Sequence, residues 1–412
     1  MNRIYIATRL FVSLLIIVSS SAALAQVDVL NAVWVLNEGV QDWDTGEMTE
    51  IASVGVYSPV SFEYTEVYQF EGSSFTTNIV IAEGAAFIGA DNKIVKINLD
   101  TYEVEAEVAL DGVRQLSYYD GMIYVTRGDV DPITWASVEF DSYFVWFDAE
   151  TLTWVGEIPS SVGVAYAAEG VVIQDDVAYI AINNGFAWAQ EVGILGVYDL
   201  TTGDYSEFDL GDNGKNPAHI KLVEGAAVLV NNTDWSATSL SRVELTSLGA
   251  ETATITTTLV DGVASGCNAA AIMGDEIVYQ ISSEFGMRKA STLDLSPSSS
   301  TWGPAVDSYY RMALNPLNGN VYATVTNFFD MGEVVILDAS GLLISSFEAG
   351  TIPGGIAFDI RTVVSVDQLE MTDNGRAVGE YDVMGRVWSE GNRGLKIERF
   401  SNGTTRAIYV AE

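Results

Sequence analysis

Seven times along the chain an apolar run ends in an acidic or amide residue, turns through a short polar segment and gives way to another apolar run. The positions are Asp42, Asn98, Asp148, Asp199, Glu244, Asp294 and Asp338, about 44 to 56 residues apart, a period that belongs to a propeller or a solenoid. The turns resemble one another. Asp42-Trp43-Asp44-Thr45-Gly46, Asn98-Leu99-Asp100-Thr101, Asp199-Leu200-Thr201-Thr202-Gly203 and Asp338-Ala339-Ser340-Gly341 place side-chain oxygens, often with glycine, where a reversing backbone must be satisfied locally.

A second series runs alongside the first: Val33-Trp34-Val35, Ala86-Phe87-Ile88, Ile123-Tyr124-Val125, Ala178-Tyr179-Ile180, Ala227-Val228-Leu229, Val278-Tyr279-Gln280 and Val321-Tyr322-Ala323. These are β-forming triplets, again seven in number. Two seven-fold series in one order, with room for four short strands in each unit, predict an all-β, seven-bladed propeller.

The ends of the repeat predict how the ring closes. The first unit begins almost directly at its second strand, Val33 to Leu36, and lacks an inner strand. Pro353-Gly354-Gly355-Ile356-Ala357-Phe358-Asp359 looks like an inner strand with no second strand after it. Pairing the two segments completes one shared blade and leaves no open edge, whereas a linear solenoid needs polar caps that the sequence does not offer.

Composition limits the rest. Residues 1–25 carry Arg3 and Arg9, an apolar run from Leu10 to Val18 and a small-residue site at Ala23-Leu24-Ala25, the pattern of a cleaved signal peptide. No later stretch is long enough for a membrane span, so the mature chain is expected to be exported, extracellular or on the outer cell surface, with no transmembrane segment. Cys267 is the single cysteine, which excludes an intramolecular disulfide and suggests a buried, inert residue. With 19 basic residues against 56 acidic ones and a formal charge of -37, nucleic acid is not an expected partner.

This arrangement of inner strand, Tyr-Val-like second strand and Asp-x-x-Thr-Gly turn resembles the seven-bladed surface propellers of the YncE or YVTN type, over roughly residues 29 to 363. The resemblance implies the fold and leaves the activity open. Domain boundaries follow at 26–363 for the propeller and 364–412 for a small β domain. In the latter, Tyr381-Asp382-Val383-Met384-Gly385-Arg386, Gly394-Leu395-Lys396-Ile397-Glu398-Arg399-Phe400 and Asn402-Gly403 resemble the sorting domain of type IX secretion cargo. The Asn-Pro opening usual in that family is missing, and the chain ends in Ala411-Glu412 instead of a basic tail.

Function is expected on the loops that enter the inner strands and on those joining second to third strands, which share one face. Aligning the repeats puts Asn78, Gln115, Gly170, His219, Asn268, Arg311 and Gly355 at the channel mouth, with Asn78, Gln115, His219, Asn268 and Arg311 as candidate ligand-binding side chains. The second-to-third loops carry Trp135, Phe186, Trp188, Trp235, Phe285, Phe328 and Phe329. Of these, Trp135, Trp188, Trp235, Phe285 and Phe328 are the candidate ligand-binding aromatics, either ringing a pocket or folding back onto the blades.

No catalytic constellation is legible. His219, the only histidine, lies beside Asn216-Pro217-Ala218 without an evident orienting partner, and one His with one Cys excludes the usual zinc sites. There is no Gly-x-Ser-x-Gly elbow. No cofactor is expected. Ca2+ stays open through the four carboxylates of Gly128-Asp129-Val130-Asp131-Pro132 and Glu139-Phe140-Asp141, although their spacing is not that of an EF-hand.

Three functions fit. The first is a binding propeller that presents an aromatic, acidic loop face to a small ligand or a surface protein or polysaccharide. Some relatives of the resembled type dock on outer-membrane transporters and capture corrinoids, so a transporter partner and a corrinoid-like or glycan ligand follow by resemblance. The second is a metal-dependent propeller hydrolase or lyase, disfavoured because the aligned mouth ring contains no carboxylate and favoured if Asp or Glu from several blades converge in the channel. The third is a structural or adhesive surface protein.

Overall fold

The computed structural model describes residues 26–42, 47–248, 253–282, 284–298, 301–306, 308–364, 377–382, 386–389, 394–400 and 405–410. The signal-peptide segment and part of the proposed sorting motif lie outside the described residues. Two compact units are present. Val29–Arg361 is the propeller, and the second unit contains Thr362 onward.

The propeller has seven antiparallel sheets. In the first blade the inner strand is Pro353–Val364, followed outward by Gln26–Asn37, Ser53–Tyr57 and Tyr64–Gln69, so the two ends of the chain do share one blade. Inner strands of the next six are Thr76–Ala82, Val113–Tyr119, Ala168–Gln174, Pro217–Val223, Ala270–Met273 and Tyr309–Leu314. Every triplet of the second sequence series falls on a second strand, with Gln280 just past the end of its own. The sixth blade shows three strands among the described residues. Single bridges Ala290–Pro297 and Met287–Trp302 lie where its outer strand would run.

The second strands are apolar throughout because both of their faces are buried, as in any strand sandwiched between layers. Alternate residues go to opposite neighbours. Trp34 and Leu36 pack with Ile79, Ala86, Ile88, Val95 and Ile97 of the second blade. Val33 and Val35 pack with Tyr322, Val334 and Ile336 of the seventh. A side-chain period of two thus welds each blade to both of its neighbours.

The first blade is also held by a polar latch. Asn31 Nδ2 donates to Asp359 Oδ2 at 2.7 Å, and Arg361 donates to the same buried carboxylate through Nε at 3.0 Å and Nη2 at 2.7 Å. The remaining Arg361 arm reaches Asp100 of the second blade.

Five of the seven acidic or amide positions sit at the end of a third strand. Asn98 Oδ1 accepts from the N–H groups of Asp100 at 2.9 Å and Thr101 at 3.1 Å. Asp199 does the same for Thr201 and Thr202, at 2.8 and 2.9 Å. Asp42 and Asp294 depart from this rule. Asp42 belongs to a hairpin, Val40–Gln41 with Met48–Glu50, inserted between second and third strands, and Asp294 lies beyond its strand end. Their places are taken by Ser58 and Ser291, whose hydroxyls accept from Ser61 N at 3.1 Å and Leu293 N at 3.1 Å. A serine hydroxyl satisfies the same turn, which a search for acids and amides overlooks.

The second unit includes a three-stranded antiparallel sheet, Ala377–Asp382, Gly394–Phe400 and Thr405–Val410. Lys396 Nζ bridges Glu380 and Glu398 at 3.0 and 2.8 Å. No helix among the described residues is long and apolar enough to cross a membrane.

Candidate functional site

Five of the seven inner strands open with a β-bulge: the register slips between Thr76 and Asn78, Val113 and Leu116, Ala168 and Val171, Pro217 and His219, and Tyr309 and Arg311. A bulge breaks the period-two alternation and re-aims side chains. Arg114 and Gln115, like Tyr310 and Arg311, consequently both line the mouth or the channel below it. The displaced amides are satisfied from the second strands. Gln115 N donates to Thr126 Oγ1 at 3.1 Å and Arg311 N to Thr324 Oγ1 at 2.9 Å, both hydroxyls being fully buried.

Two connected spaces result. The channel holds a cavity of ≈ 120 Å³ lined by residues of all seven inner strands or their entries, among them Asn78, Gln115, Glu169, His219, Arg311 and Gly355. Above it a mouth of ≈ 440 Å³ is bordered by Glu38, Arg114, Glu169, Tyr310, Arg311, Phe328 and Phe329. Glu169 and Arg311 line both.

The aligned candidates have distinct places. Asn78 Nδ2 donates to Gln115 Oε1 at 3.1 Å, and Asn78 Oδ1 accepts from Leu116 N at 3.0 Å, which ties the second blade to the third. His219 Nε2 lies 2.9 Å from the Asn268 carbonyl, so that nitrogen carries the proton. Asn268 itself is buried, its Oδ1 accepting from Ser308 at 2.9 Å. Arg311 Nη1 donates to the carbonyls of Cys267 and Tyr310 at 3.0 and 2.9 Å, and the guanidinium lies 4.1 Å from the Tyr310 ring centre. Gly170 is not a mouth residue. A Cβ there would come within 2.8 Å of Ile220, and Glu169 is the position that faces the channel.

The expectation of a mouth without carboxylates is therefore corrected. Glu38 and Glu169 both reach it, from the first and fourth blades. Each is already engaged. Glu169 accepts a two-pronged pair from Arg114, Nε at 2.9 Å and Nη2 at 2.8 Å, while Glu38 accepts from the Tyr310 hydroxyl. The alignment missed Glu38, Arg114, Tyr310 and Lys221. Arg114 and Tyr310 adjoin aligned residues at bulges, which leave no signal in a period-two pattern, whereas Lys221 lies two residues past His219 in regular register and Glu38 just past a second strand.

Electrostatics follow the enclosure. Burial pushes the Glu38 carboxyl above its ordinary value, against the lowering effects of the Arg311 charge and the Tyr310 hydrogen bond. Burial, together with the charge of Arg311, lowers Lys221. His219 is lowered to about 4 by burial first, then by Lys221 and Arg311. Because the folded value lies below the ordinary 6.5, the unfolded chain takes this proton first as pH falls. The native state is expected to lose stability between the ordinary value and about 4, with no effect above that window. His219→Gln should flatten this part of the stability profile, and a ring titration by NMR with its midpoint at the ordinary histidine value would contradict the assignment.

The loop aromatics divide. Phe328 and Phe329 border the mouth, and Phe328 meets Tyr310 edge to face at 5.0 Å. Phe285, 67% exposed, borders a separate shallow groove with Asn327, Met331 and Glu348. Trp135 and Trp188 are exposed and do not line the mouth. Trp235 is half-buried, and Phe186 folds back so that Arg114 lies over its ring at 5.1 Å. Cys267 is exposed, contrary to the expectation of a buried thiol.

The acidic insertion forms its own small hairpin. Asp131 Oδ1 accepts from Ile133 N at 3.0 Å and Thr134 N at 2.7 Å, and a bridge joins Val130 to Ser137. Among the described residues no group of three or more His, Cys, Asp or Glu side chains is placed to hold a metal ion.

No family model and no curated protein matches the chain. Solved structures similar to it include Hsv2 of Kluyveromyces lactis, at 8% identity and a TM-score of 0.44, covering 82% of this chain and 98% of that one. The β-propeller domain of Cps50 (Swd1) from Myceliophteria thermophila matches at 12% identity and 0.49, covering 67% and 87%. Dihydro-heme d1 dehydrogenase NirN, solved in complex with DHE, matches at 13% and 0.49, covering 92% and 73%. At such identities propellers of unrelated activity share a geometry.

Proposed function

We propose that this protein is an exported binding propeller without catalytic activity, whose ligand enters the channel mouth. One observation carries the reading. A space of ≈ 440 Å³ is lined by the apolar side chains of Phe328, Phe329 and Ile352 together with the charged and hydroxyl groups of Glu38, Arg114, Glu169, Tyr310 and Arg311. That size and that mixture of apolar wall with a few fixed polar groups suit a small ligand. Carboxylates from two blades reach the channel, the condition set for a hydrolase or lyase. Arg114 takes both oxygens of Glu169 and the Tyr310 hydroxyl takes one of Glu38, an engagement that favours binding.

The YncE-like surface role, with residues 1–25 as export signal and residues 381–412 as a type IX sorting segment, belongs to the same proposal. Corrinoid-like compounds, porphyrins and glycans are the ligand classes to test. Calorimetry of the exported protein against such a panel is expected to give saturable binding that Phe329→Ala weakens about tenfold, the loss of one well-placed aromatic contact. Binding unaffected by Phe329→Ala and Tyr310→Phe would remove the mouth from consideration. An exported protein that keeps residues 381–412 and does not depend on type IX export would remove the sorting assignment.

A further inference from the structure

This chain carries 56 acidic residues against 19 basic ones, yet its channel gathers Arg114, Lys221 and Arg311 around two carboxylates. The three cations are not equivalent. Arg114 commits its Nε/Nη2 edge to Glu169. The other two keep unused capacity. Arg311 spends Nη1 on two backbone carbonyls, and its Nε and Nη2 donate to no acceptor among the described residues. That Nε/Nη2 edge is the one that grips a carboxylate with two parallel hydrogen bonds. Lys221 Nζ, inside the same narrow cavity, has no hydrogen bond or ion pair among the described residues.

Removing a cation from bulk water without a partner is costly, and a fold that lines one narrow cavity with two of them gains by admitting an anion. His219, the remaining basic side chain of the cavity, presents its other ring nitrogen as an acceptor, because Nε2 donates to the Asn268 carbonyl. The small cavity shares Arg311 and Glu169 with the mouth, whose lining also includes Phe328, Phe329 and Ile352.

We propose that the channel is a carboxylate seat: an acid group of the ligand lies between Arg311 and Lys221, and the flat or apolar remainder of the ligand rests in the mouth against Phe328 and Phe329. This deepens, and rests on, the assignment of the mouth as the binding site. Selectivity follows from charge and shape together. Neutral analogues leave Arg311 and Lys221 unpaired, and acids without an apolar body leave the wall uncovered.

The test compares 2-naphthoate with 2-naphthamide, an acid and a neutral relative of nearly the same shape, by calorimetry on the intact exported chain. The expected result is that naphthoate binds at least about tenfold more tightly, the scale of one charge-assisted contact. Arg311→Gln and Lys221→Met should each remove most of that difference between acid and amide. Equal affinity for acid and amide in the wild-type protein, or a preference that survives both substitutions, overturns the seat and leaves the mouth assignment standing. If neither probe binds and the Arg311 Nε resonance does not move with either, both the seat and the mouth assignment fall. The wild-type comparison needs no variant, so a substitution that fails to fold does not blunt the test.

Discussion

Trp34→Ala is expected to destabilise the propeller by about 3–5 kcal/mol, the range for truncating a fully buried aromatic in a core that collapses only partly. Trp34 has no exposed surface and stands where the closing blade meets the second, against Ala86, Ile88 and Ile97. Its ring also meets Tyr102 edge to face at 5.7 Å. The indole N–H has no hydrogen-bond partner among the described residues although it is buried. Trp34→Phe should therefore lose much less, since the smaller ring fills most of the volume and abolishes an unsatisfied donor. Urea unfolding of the two variants decides the point. A Phe variant as unstable as the Ala variant would mean that the indole makes an essential interaction through its nitrogen.

Asp359→Ala is expected to cost about 2–3 kcal/mol, by unfastening the joint between the two ends of the propeller. Breaking a buried ion pair from one side costs about 3–5 kcal/mol when the surviving charge is stranded. Here Arg361 is about a third exposed and keeps Asp100, so solvent and the second carboxylate reduce the loss. Asn31 loses its acceptor as well. Arg361→Ala leaves the buried carboxylate with Asn31 alone. A double-mutant cycle between the two is expected to give a coupling of about 1–2 kcal/mol, and a value below about 0.5 kcal/mol would show that the latch contributes nothing beyond packing.

The ring was legible in advance because its cause is local. A strand buried on both faces must be apolar throughout, and Trp34-Val35-Leu36, Phe87-Ile88 and their counterparts declare themselves without knowledge of their neighbours. The closing segment Pro353 to Asp359 was legible for the same reason: an inner strand without a second strand needs one supplied from elsewhere. Where two side-chain chemistries serve one local purpose, the pattern misled. Ser58 and Ser291 fill the turns that Asp42 and Asp294 were expected to fill.

The mouth was legible only in outline. Alignment brought Asn78, Gln115, His219 and Arg311 to the channel, since blades repeat. It could not bring in Arg114 or Glu169, because a bulge shifts which neighbour faces inward and leaves no mark on hydrophobic periodicity; Glu38 lies just past a second strand, and Lys221 stands two residues past His219 on the same strand. Nor could it separate Phe328 and Phe329, which border the mouth, from Trp135 and Trp188, which do not.

The sequence by itself determined the number of blades, the identity of their second strands and the segment that closes the ring, because each follows from a burial pattern written over a few consecutive residues. Only the tertiary structure decided the charge of the channel. Arg114 and Glu169 are 55 positions apart and meet because the third and fourth blades abut, while Arg311 and Lys221 come from the seventh and fifth. Charge pairing acts across space between strands that share no local pattern, so an acidic chain can enclose a cationic channel that its composition conceals.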